Sequence, residues 1–295
     1  MTLPVSVSEG RAVAAVEIME MTMNEVLKLF DLTNRVAIVT GGAGFLGQQF
    51  SEALAEAGAN VVVADIDQAA AADWAEKLSK KHNSALGVGL DVTDTSSVQN
   101  LMDLTLEKYG QLDILVNSAA LDPKFDNQNQ SRHVTSFEDF PLQAWKQALD
   151  VNLTGMFLTC QYAAKVMKEV GKGSLINICS TYGISGPDQR LYESLGEPRQ
   201  YKPVYYTVSK AGVLGLTKYI ATYYEGTEIR CNALTPGGVE RGHDQAFKDA
   251  YGSRTVLGRM AYPHEMKGAV VFLASEASSY MTGTNLVVDG GWTAW

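Results

Sequence analysis

Seven short apolar runs alternate with helix-length segments along most of this 295-residue chain. The runs are VAIVT (Val36–Thr40), NVVVAD (Asn60–Asp65), ALGVGLDV, DILVNSA, GSLINICS, EIRCNALTP and NLVVDGG. Runs that are apolar throughout, with no polar alternation, are typical of parallel strands covered on both faces. The pattern therefore predicts an α/β fold, with a doubly wound parallel sheet of about seven strands and helices on both faces.

Composition limits the domain count and the compartment. No Pro-, Gly- or Ser-rich linker interrupts the apolar segments, so residues 31–295 are expected to form a single domain. Residues 1–30 would be an N-terminal extension containing one helix from Arg11 to Phe30. No basic start precedes an unbroken apolar core at the N-terminus, which is unlike a signal peptide. An odd number of cysteines, three, without metal-ligand spacing favours a reducing cytoplasm.

Charge excludes several kinds of partner. The net charge of -9 argues against a nucleic-acid or anionic-membrane surface, since either would need clustered Lys and Arg. No apolar run is long enough to cross a bilayer. The four histidines are far apart in sequence, so no metal site is expected.

The stretch TGGAGFLG, Thr40–Gly47, joins the first strand to the next helical pattern. Within it, Gly42, Gly44 and Gly47 fit the G-x-G-x-x-G pattern. Glycines let the backbone approach a diphosphate closely, and the helix that follows supplies free N–H groups. The loop predicts a Rossmann-type dinucleotide site at the carboxyl end of the first strand.

Asp65 ends the second strand, about 20 positions beyond the loop, where a carboxylate can accept hydrogen bonds from ribose hydroxyls. The 2′-phosphate of NADP would be repelled by Asp65 and Asp67, and no Lys or Arg lies in the loop. The sequence therefore predicts NAD(H) as the cofactor.

Tyr206 and Lys210 in YYTVSK are four residues apart, which places them on one face of a helix. Neither Tyr201 nor Tyr205 has a lysine at that spacing. The pair follows the fifth strand, whose end carries Ser180.

With these motifs in place, the chain resembles a short-chain dehydrogenase/reductase over about Phe30 to Trp295. The resemblance rests on eight motifs in family order: TGGAGFLG, LDVTD, NSAA, DVNLTG, NICSTYG, YTVSK, PGG and LVVDGG. Together these segments identify the family, although several are short.

The resemblance implies roles for four residues. Tyr206 would be the general acid/base that exchanges a proton with the substrate oxygen, and Lys210 would hold the nicotinamide ribose and lower the tyrosine's pKa. Ser180 would hydrogen-bond the same substrate oxygen, and Asn152 would support a water linked to Lys210. Free tyrosine has a pKa of about 10. A lysine charge ~4 Å away, at an effective dielectric of about 20, contributes about 4 kcal/mol towards the phenolate.

The resemblance also implies cofactor contacts along one crevice. They fall on the glycine loop, the next three strand ends, the Tyr–Lys pair and the PGG segment: Gly41, Gly44, Phe45, Leu46, Gly47, Asp65, Ile66, Asp91, Val92, Asn117, Ser118, Ala119, Tyr206, Lys210, Pro236, Gly237, Gly238 and Val239.

Three positions near the cofactor depart from the larger, classical branch of the family. The middle glycine of that branch lies one place later than Gly44, so Phe45 is expected to pack under the helix or face the adenine side. Arg241 stands where many relatives place a threonine that bonds the nicotinamide carboxamide. In addition, Ala120 replaces the last glycine of the fourth-strand motif.

The segment between Ser180 and Tyr206 spans 26 positions, about twice the spacing of the classical branch. Because a separate C-terminal substrate domain is missing, the chain is interpreted as a classical enzyme with an enlarged loop. The loop's polar side chains are expected beside a substrate rich in hydroxyls or bearing an acid group, with a solvated or subunit-contacting loop as the alternative: Arg190, Tyr192, Glu197 and Arg199.

The leading hypothesis is an NAD(H)-dependent oxidoreductase that interconverts a secondary alcohol and a ketone on a sugar, sugar acid or polyol. The loop segment is similar to dehydrogenases of bacterial sugar and nonulosonic-acid pathways. Two alternatives stay open, an NAD-retaining epimerase or dehydratase and a non-catalytic NAD-binding protein. The family implies a homotetramer, with the helices from Leu142 to Lys168 and from Tyr206 to Tyr224 forming one interface.

Overall fold

The computed structural model describes residues 25–82, 84–122, 136–195 and 200–295. The strands are β1 Val36–Thr40, β2 Asn60–Asp65, β3 Ala85–Gly89, β4 Ile114–Asn117, β5 Lys172–Ile178, β6 Glu228–Pro236 and β7 Asn285–Val288. The longer helices are α1 Phe45–Glu56, α2 Gln68–Lys81, α3 Thr95–Tyr109, α4 Leu142–Leu149, α5 Gly155–Val170, α6 Val204–Tyr223, α7 Gln245–Gly252 and α8 Lys267–Ala274. A π-helical turn, Asp150–Thr154, joins α4 to α5, and short 3₁₀ turns cover Thr181–Gly183, Gln189–Leu195, Pro263–Met266 and Glu276–Ser278.

All seven strands form one parallel sheet in the order β3-β2-β1-β4-β5-β6-β7. The doubly wound α/β fold predicted from the apolar runs is confirmed. β1, β2 and β6 have the predicted bounds, β3, β4 and β7 end earlier than the predicted runs, and β5 begins one residue earlier and ends two residues earlier. The strand order reverses between β1 and β4, and ligands bind in the crevice at such a reversal, outside the carboxyl ends of the strands.

Both faces of the sheet are covered, which explains why the strands are apolar throughout. Ala37 and Val39 of β1 belong to the core beneath α1, α2 and α8, whereas Ile38 belongs to the core beneath α3, α5 and α6. Phe50 and Leu54 of α1 are fully buried. Burial of each such large side chain contributes about 1.5–3 kcal/mol, so the two cores hold the helices against the two faces of the sheet.

Local signals set the helix ends. Asp67 and Asp94 cap α2 and α3 by accepting hydrogen bonds from main-chain N–H groups. Gly110 and Gly171, both with positive φ, end α3 and α5. Gly44 begins α1 and offers no side-chain cap, so N–H groups of the first turn remain open towards the crevice.

The N-terminal segment is described from residue 25 onward, so most of the expected Arg11 to Phe30 helix lies outside the described residues. Residues 25–28 are helical, and the chain turns at residues 29–30. The carbonyl of Leu29 accepts a hydrogen bond from Ala277 N at 3.1 Å, and the Phe30 ring lies 6.4 Å from that of Phe272. In the described part of the chain, no helix is both long and apolar enough to span a membrane.

Replacing Gly47 by alanine should destabilise the fold, because an added Cβ would lie 1.9 Å from the Gly41 carbonyl oxygen. Overpacking of this kind costs about 1–3 kcal/mol, and urea unfolding followed by circular dichroism should show this loss.

Gly268→Ala is the matched control, because Gly268 is also helical but has open space at its Cβ position. That variant should be neutral or gain up to about 1 kcal/mol. Equal effects of the two substitutions would contradict the close packing of the glycine loop.

Candidate active site

The helix α6 carries Tyr206 and Lys210 at its first turns, directly after Pro203. Lys210 is buried, and its Nζ donates a hydrogen bond to the carbonyl of Ile178 at 2.8 Å. The same Nζ lies 5.9 Å from the centre of the Tyr206 ring. The ammonium is thus fixed at the carboxyl end of β5, beside the tyrosine with which the sequence paired it.

Ser180 lies just beyond β5 and begins the 3₁₀ turn Thr181–Gly183. Its Oγ accepts a hydrogen bond from Tyr182 N at 3.2 Å. Ser180 also lies near enough to Tyr206 to lower the pKa of that tyrosine, although the sequence separates the two residues by 26 positions.

Asn152 lies in the π-helical turn between α4 and α5 and is fully buried. Its Oδ1 accepts from Leu121 N at 2.6 Å, and its Nδ2 donates to Leu121 O at 3.1 Å and Ser209 Oγ at 3.3 Å. Single π turns of this type are frequent at functional sites. Asn152 thereby joins the segment after β4 to the residue preceding Lys210.

Burial dominates the protonation of the pair. It raises the pKa of Tyr206 well above its ordinary value, and the negative charge of Asp122 raises this pKa further, whereas the Ser180 hydrogen bond lowers it. Burial also lowers the pKa of Lys210. The sequence argument counted only the favourable charge of Lys210, whereas desolvation of both groups opposes the charged pair.

The glycine loop passes very close to the end of β4. Gly41 has φ of +61°, and a Cβ there would lie 2.8 Å from Ala119 Cα. Thr40 Oγ1 accepts hydrogen bonds from the main-chain N–H groups of Ser118 and Ala119 at 3.1 and 3.2 Å. Thr40 is a positioning residue that motif spacing did not reveal, because its role depends on the neighbouring strand.

Asp65 binds the same loop from the other side. One carboxylate oxygen accepts from Ala43 N at 3.1 Å, and the other accepts from Asp67 N at 3.2 Å. Ile66, next in the chain, is largely exposed. Asp65 thus borders the crevice at the carboxyl end of β2, and a dinucleotide fits the open α1 turn between Asp65 and the end of β4.

Two other residues that were expected to contact the cofactor, Asn117 and Asp91, have side chains that form hydrogen bonds within the protein. The Asn117 amide is buried, donating to Asn177 Oδ1 at 3.0 Å and accepting from Thr159 Oγ1 at 2.7 Å, so only its main chain faces the crevice. The Asp91 carboxylate accepts from the main chain and hydroxyl of Thr93 in a local turn. The neighbouring Val92 is buried and would clash with any side chain at Gly155.

The PGG segment after β6 is held by aromatic and main-chain contacts. Gly238 N donates to the Tyr251 hydroxyl, and Gly238 O accepts from Ala261 N at 2.9 Å. Gly237 N donates to Val288 O at 2.9 Å. These contacts place Pro236–Val239 along the crevice opposite the glycine loop.

Phe45 lies neither under the helix nor towards the adenine side, as the sequence had suggested. Its ring contacts Arg241, whose guanidinium carbon is 4.9 Å from the ring centre. Arg241 belongs to the loop after β6, on the opposite side of the crevice from β2. Phe45 and Arg241, two of the departures from the classical branch, are therefore in contact with each other.

In the enlarged loop, the Tyr192 side chain is buried beside Tyr182, whereas the Arg190 side chain is exposed. Arg190 is exposed and pairs with Asp188 through two 2.8 Å hydrogen bonds, and Asp188 also pairs with Arg254. For Arg190, this exposed pairing agrees with the alternative of a solvated loop. Tyr192 is buried, and its hydroxyl donates to the Tyr182 hydroxyl at 3.3 Å. The other two expected side chains lie outside the described residues: Glu197 and Arg199.

Lys202 is a second lysine beside Tyr206 that the sequence did not single out. Its Nζ lies 4.0 Å from the centre of the Tyr206 ring and 2.5 Å from Asp122 Oδ1. Lys202 precedes Pro203 and so lies outside the helix α6 that carries Tyr206 and Lys210. Only the fold brings this ion pair to the tyrosine.

One cluster of described residues combines metal-ligating atoms, namely Glu52, Glu56 and His82. Lys267 Nζ lies 2.9 Å from Glu52 and 3.0 Å from Glu56. This ammonium already balances the two carboxylates, and the cluster is remote in sequence from the Tyr–Lys pair.

Comparisons with known proteins agree on one family. A family model described as enoyl-(acyl carrier protein) reductase matches residues 42–293. A D-threitol dehydrogenase from Mycolicibacterium smegmatis is 35% identical over 269 residues, covering 90% of this chain and 95% of the relative.

Solved structures are similar in fold. A short-chain type dehydrogenase/reductase from Mycobacterium marinum is 34% identical with a TM-score of 0.78, covering 92% of this chain and 99% of that one. A gluconate 5-dehydrogenase from Burkholderia cenocepacia, in complex with NADP and tartrate, is 31% identical with a TM-score of 0.79, covering 91% and 99%.

Two substitutions should move the Tyr206 pKa in opposite directions. Asp122→Asn removes a negative charge that opposes the phenolate, so the pKa should fall. Ser180→Ala removes a hydrogen bond that favours the phenolate, so the pKa should rise. The measurement is a near-UV absorbance titration of each protein against the same protein carrying Tyr206→Phe, which isolates this phenol from the other tyrosines.

Shifts of the same sign in both variants would contradict the electrostatic account. So would a wild-type difference titration centred below about pH 10, the ordinary tyrosine value.

Proposed function

Because the chain belongs to the short-chain dehydrogenase/reductase family, we propose that it is an NAD(H)-dependent oxidoreductase acting on a polyhydroxylated substrate. As a family member it acts on CH–OH groups, interconverting an alcohol and a ketone. The observation that carries the residue roles is the Lys210 Nζ, held by the Ile178 carbonyl 5.9 Å from the centre of the Tyr206 ring, with Ser180 near enough to lower the pKa of that tyrosine.

In this proposal the proton moves through Tyr206. In the oxidation direction, its phenolate takes the proton of the substrate hydroxyl while the carbon–oxygen bond becomes a carbonyl. Ser180 donates a hydrogen bond to that oxygen, and Lys210 stabilises the phenolate electrostatically. A bound nicotinamide supplies the hydride acceptor. Asn152 acts by position, since it holds the residue next to Lys210.

The preference for NAD rests on charge at the end of β2. Asp65 is anchored by two main-chain N–H groups, so its carboxylate is held where ribose hydroxyls would bind. No Lys or Arg occurs between Arg35 and Lys77 in the sequence. A 2′-phosphate would therefore meet negative charge without a compensating cation. Because the similar gluconate 5-dehydrogenase binds NADP in its structure, the preference of this chain for NAD needs a direct measurement.

The substrate class follows from the ion pair above Tyr206. Lys202 supplies N–H donors and Asp122 supplies carboxylate acceptors, a combination that suits hydroxyl groups on neighbouring carbons. Because the pair is neutral overall, it offers no excess positive charge to a substrate carboxylate. We therefore favour a neutral sugar or polyol over a sugar acid, in keeping with the named D-threitol dehydrogenase.

The position of Gly44 resembles the extended branch of the family, many of whose members epimerise or dehydrate nucleotide sugars, and it therefore favours one alternative, an epimerase or dehydratase that retains NAD. Against it, the enlarged loop packs onto α7 through Tyr192 and Phe247, 6.2 Å apart, and builds no separate substrate domain among the described residues. A non-catalytic NAD-binding protein remains the second alternative.

A homotetramer in the cytoplasm fits this proposal. Apolar side chains on the outer faces of α5 and α6 are exposed in the single chain, namely Phe157, Val208, Tyr219 and Tyr223. Covering them would form the helix interface that the family implies. All three cysteines are free and buried, as in a reducing compartment.

Tyr206→Phe should abolish turnover while leaving NAD affinity within about twofold, because only the acid/base oxygen is removed. NADH formation by near-UV absorbance, with neutral polyols, sugars, sugar acids and cyclic secondary alcohols, would test both activity and substrate class. Tyr205→Phe is the matched control, one position away on the same helix, and should retain turnover.

Turnover by Tyr206→Phe at the wild-type rate would remove the proposed acid/base. Tightly bound NAD in the purified protein, with product formed but no net NADH, would favour the epimerase or dehydratase.

Asp65→Asn should lower the preference for NAD over NADP, since it removes charge without changing side-chain size. We expect kcat/KM for NAD to exceed that for NADP by about 100-fold in the wild type, equivalent to about 2.7 kcal/mol, and by about tenfold or less in the variant. Asp73→Asn, an exposed change on α2 in an ion pair with Lys77, should leave the ratio unaltered. A wild type that prefers NADP would overturn the assignment.

A further inference from the structure

The contact between Arg241 and Phe45 crosses the cofactor crevice. Phe45 is the first residue of α1, and Arg241 lies in the loop after β6. The guanidinium carbon is 4.9 Å from the ring centre, within the distance at which a cation is attracted to an aromatic face. A positive charge is therefore held next to the N-terminus of α1.

Arg241 differs from the other arginines in the part of the chain that the structure describes. Each of those pairs with a carboxylate or with main-chain carbonyls: Arg35, Arg190, Arg230, Arg254 and Arg259. Within the described ranges, the Arg241 guanidinium has the Phe45 ring as its contact and no carboxylate within ion-pairing distance. Its own main-chain N–H donates to His243 Nδ1 at 3.1 Å, which fixes the turn.

Both neighbours of this guanidinium suit an anion. The first turn of α1 begins at Gly44, which has no side chain to cap it, so its N–H groups are open. Helix N-termini favour negative charge, and an arginine fork can bind phosphate oxygens through two parallel hydrogen bonds. In this fold the dinucleotide diphosphate lies at that helix end.

We propose that Arg241 binds the diphosphate of the dinucleotide and that Phe45 positions it for this contact. The inference rests on the proposed dinucleotide-dependent function. Phe45 orients the planar guanidinium over the open helix turn. Phe45 stands where the classical branch has its middle glycine, and Arg241 stands where many relatives have a threonine. One of these two departures therefore supports the other. Lysine could supply the charge but not the stacked fork.

The test measures equilibrium binding by isothermal titration calorimetry, without turnover. Arg241→Met should weaken both NAD and ADP-ribose by about 10- to 100-fold, the range for losing charge-assisted hydrogen bonds. Phe45→Leu, which keeps an apolar side chain but removes the ring, should weaken both by a smaller factor. Arg241→Lys should fall between wild type and Arg241→Met.

Arg259→Met is the matched control, because Arg259 also stacks on an aromatic ring, that of Tyr262 at 4.6 Å, but pairs with Glu265. It should leave ADP-ribose affinity unchanged. Urea unfolding of every variant checks that each is folded under the binding conditions.

Each other outcome overturns the proposal in a distinct way. Weaker NAD binding with unchanged ADP-ribose binding would assign Arg241 to the nicotinamide carboxamide. Unchanged affinity for both, with a raised substrate KM, would assign it to the substrate. Failure of the proposed dehydrogenase function is separable, because it would appear as turnover that Tyr206→Phe does not affect while the ADP-ribose result stands.

Discussion

The close approach of β1 to the end of β4 is the constraint on which the rest of the site depends. Thr40 Oγ1 joins the two strand ends by accepting from both Ser118 N and Ala119 N, and Gly41 leaves no room for a side chain between them. Because the strand order reverses here, this contact opens the crevice and aims the first turn of α1 into it. The neighbouring β5 then brings Ser180 to the same edge of the sheet.

The ionisation of Tyr206 and Lys210 at this edge of the sheet depends on their burial and on the charged and polar groups beside them. Burial disfavours ionisation of the Tyr206 phenol and protonation of the Lys210 amine, so the Tyr206–Lys210 pair loses stability in its charged form unless other groups compensate. The Ile178 carbonyl holds the ammonium, and Ser180 favours the phenolate. Asp122 opposes the phenolate, which makes its partner Lys202 part of the same balance. The ionisation of the tyrosine thus depends on four groups from three segments, namely the end of β5, the segment after β4 and the residues before α6.

The enlarged loop between β5 and α6 adds a wall to the site. Tyr192 contacts Tyr182 through a hydroxyl hydrogen bond, and Tyr182 lies edge-on to both Tyr206 and Trp292. Trp292 in turn stacks on Tyr251 at 4.5 Å. This chain of aromatic contacts links Tyr206 to the C-terminal segment, so the described residues of the loop pack onto the same domain. Aromatic stacking of this kind contributes about 0.5–1.5 kcal/mol for each pair beyond burial.

By itself, the sequence determined the parallel sheet, the glycine loop before α1, the Asp65 position and the Tyr206–Lys210 pair, because each is encoded by local periodicity or fixed spacing. Only the tertiary structure decided what meets across the crevice. Phe45 was expected under the helix or facing the adenine side, and the structure shows its ring in contact with Arg241, while the sequence did not single out Lys202. Those contacts join residues far apart in the chain or on either side of a proline, and no local pattern encodes them because the folding of the sheet sets their distance.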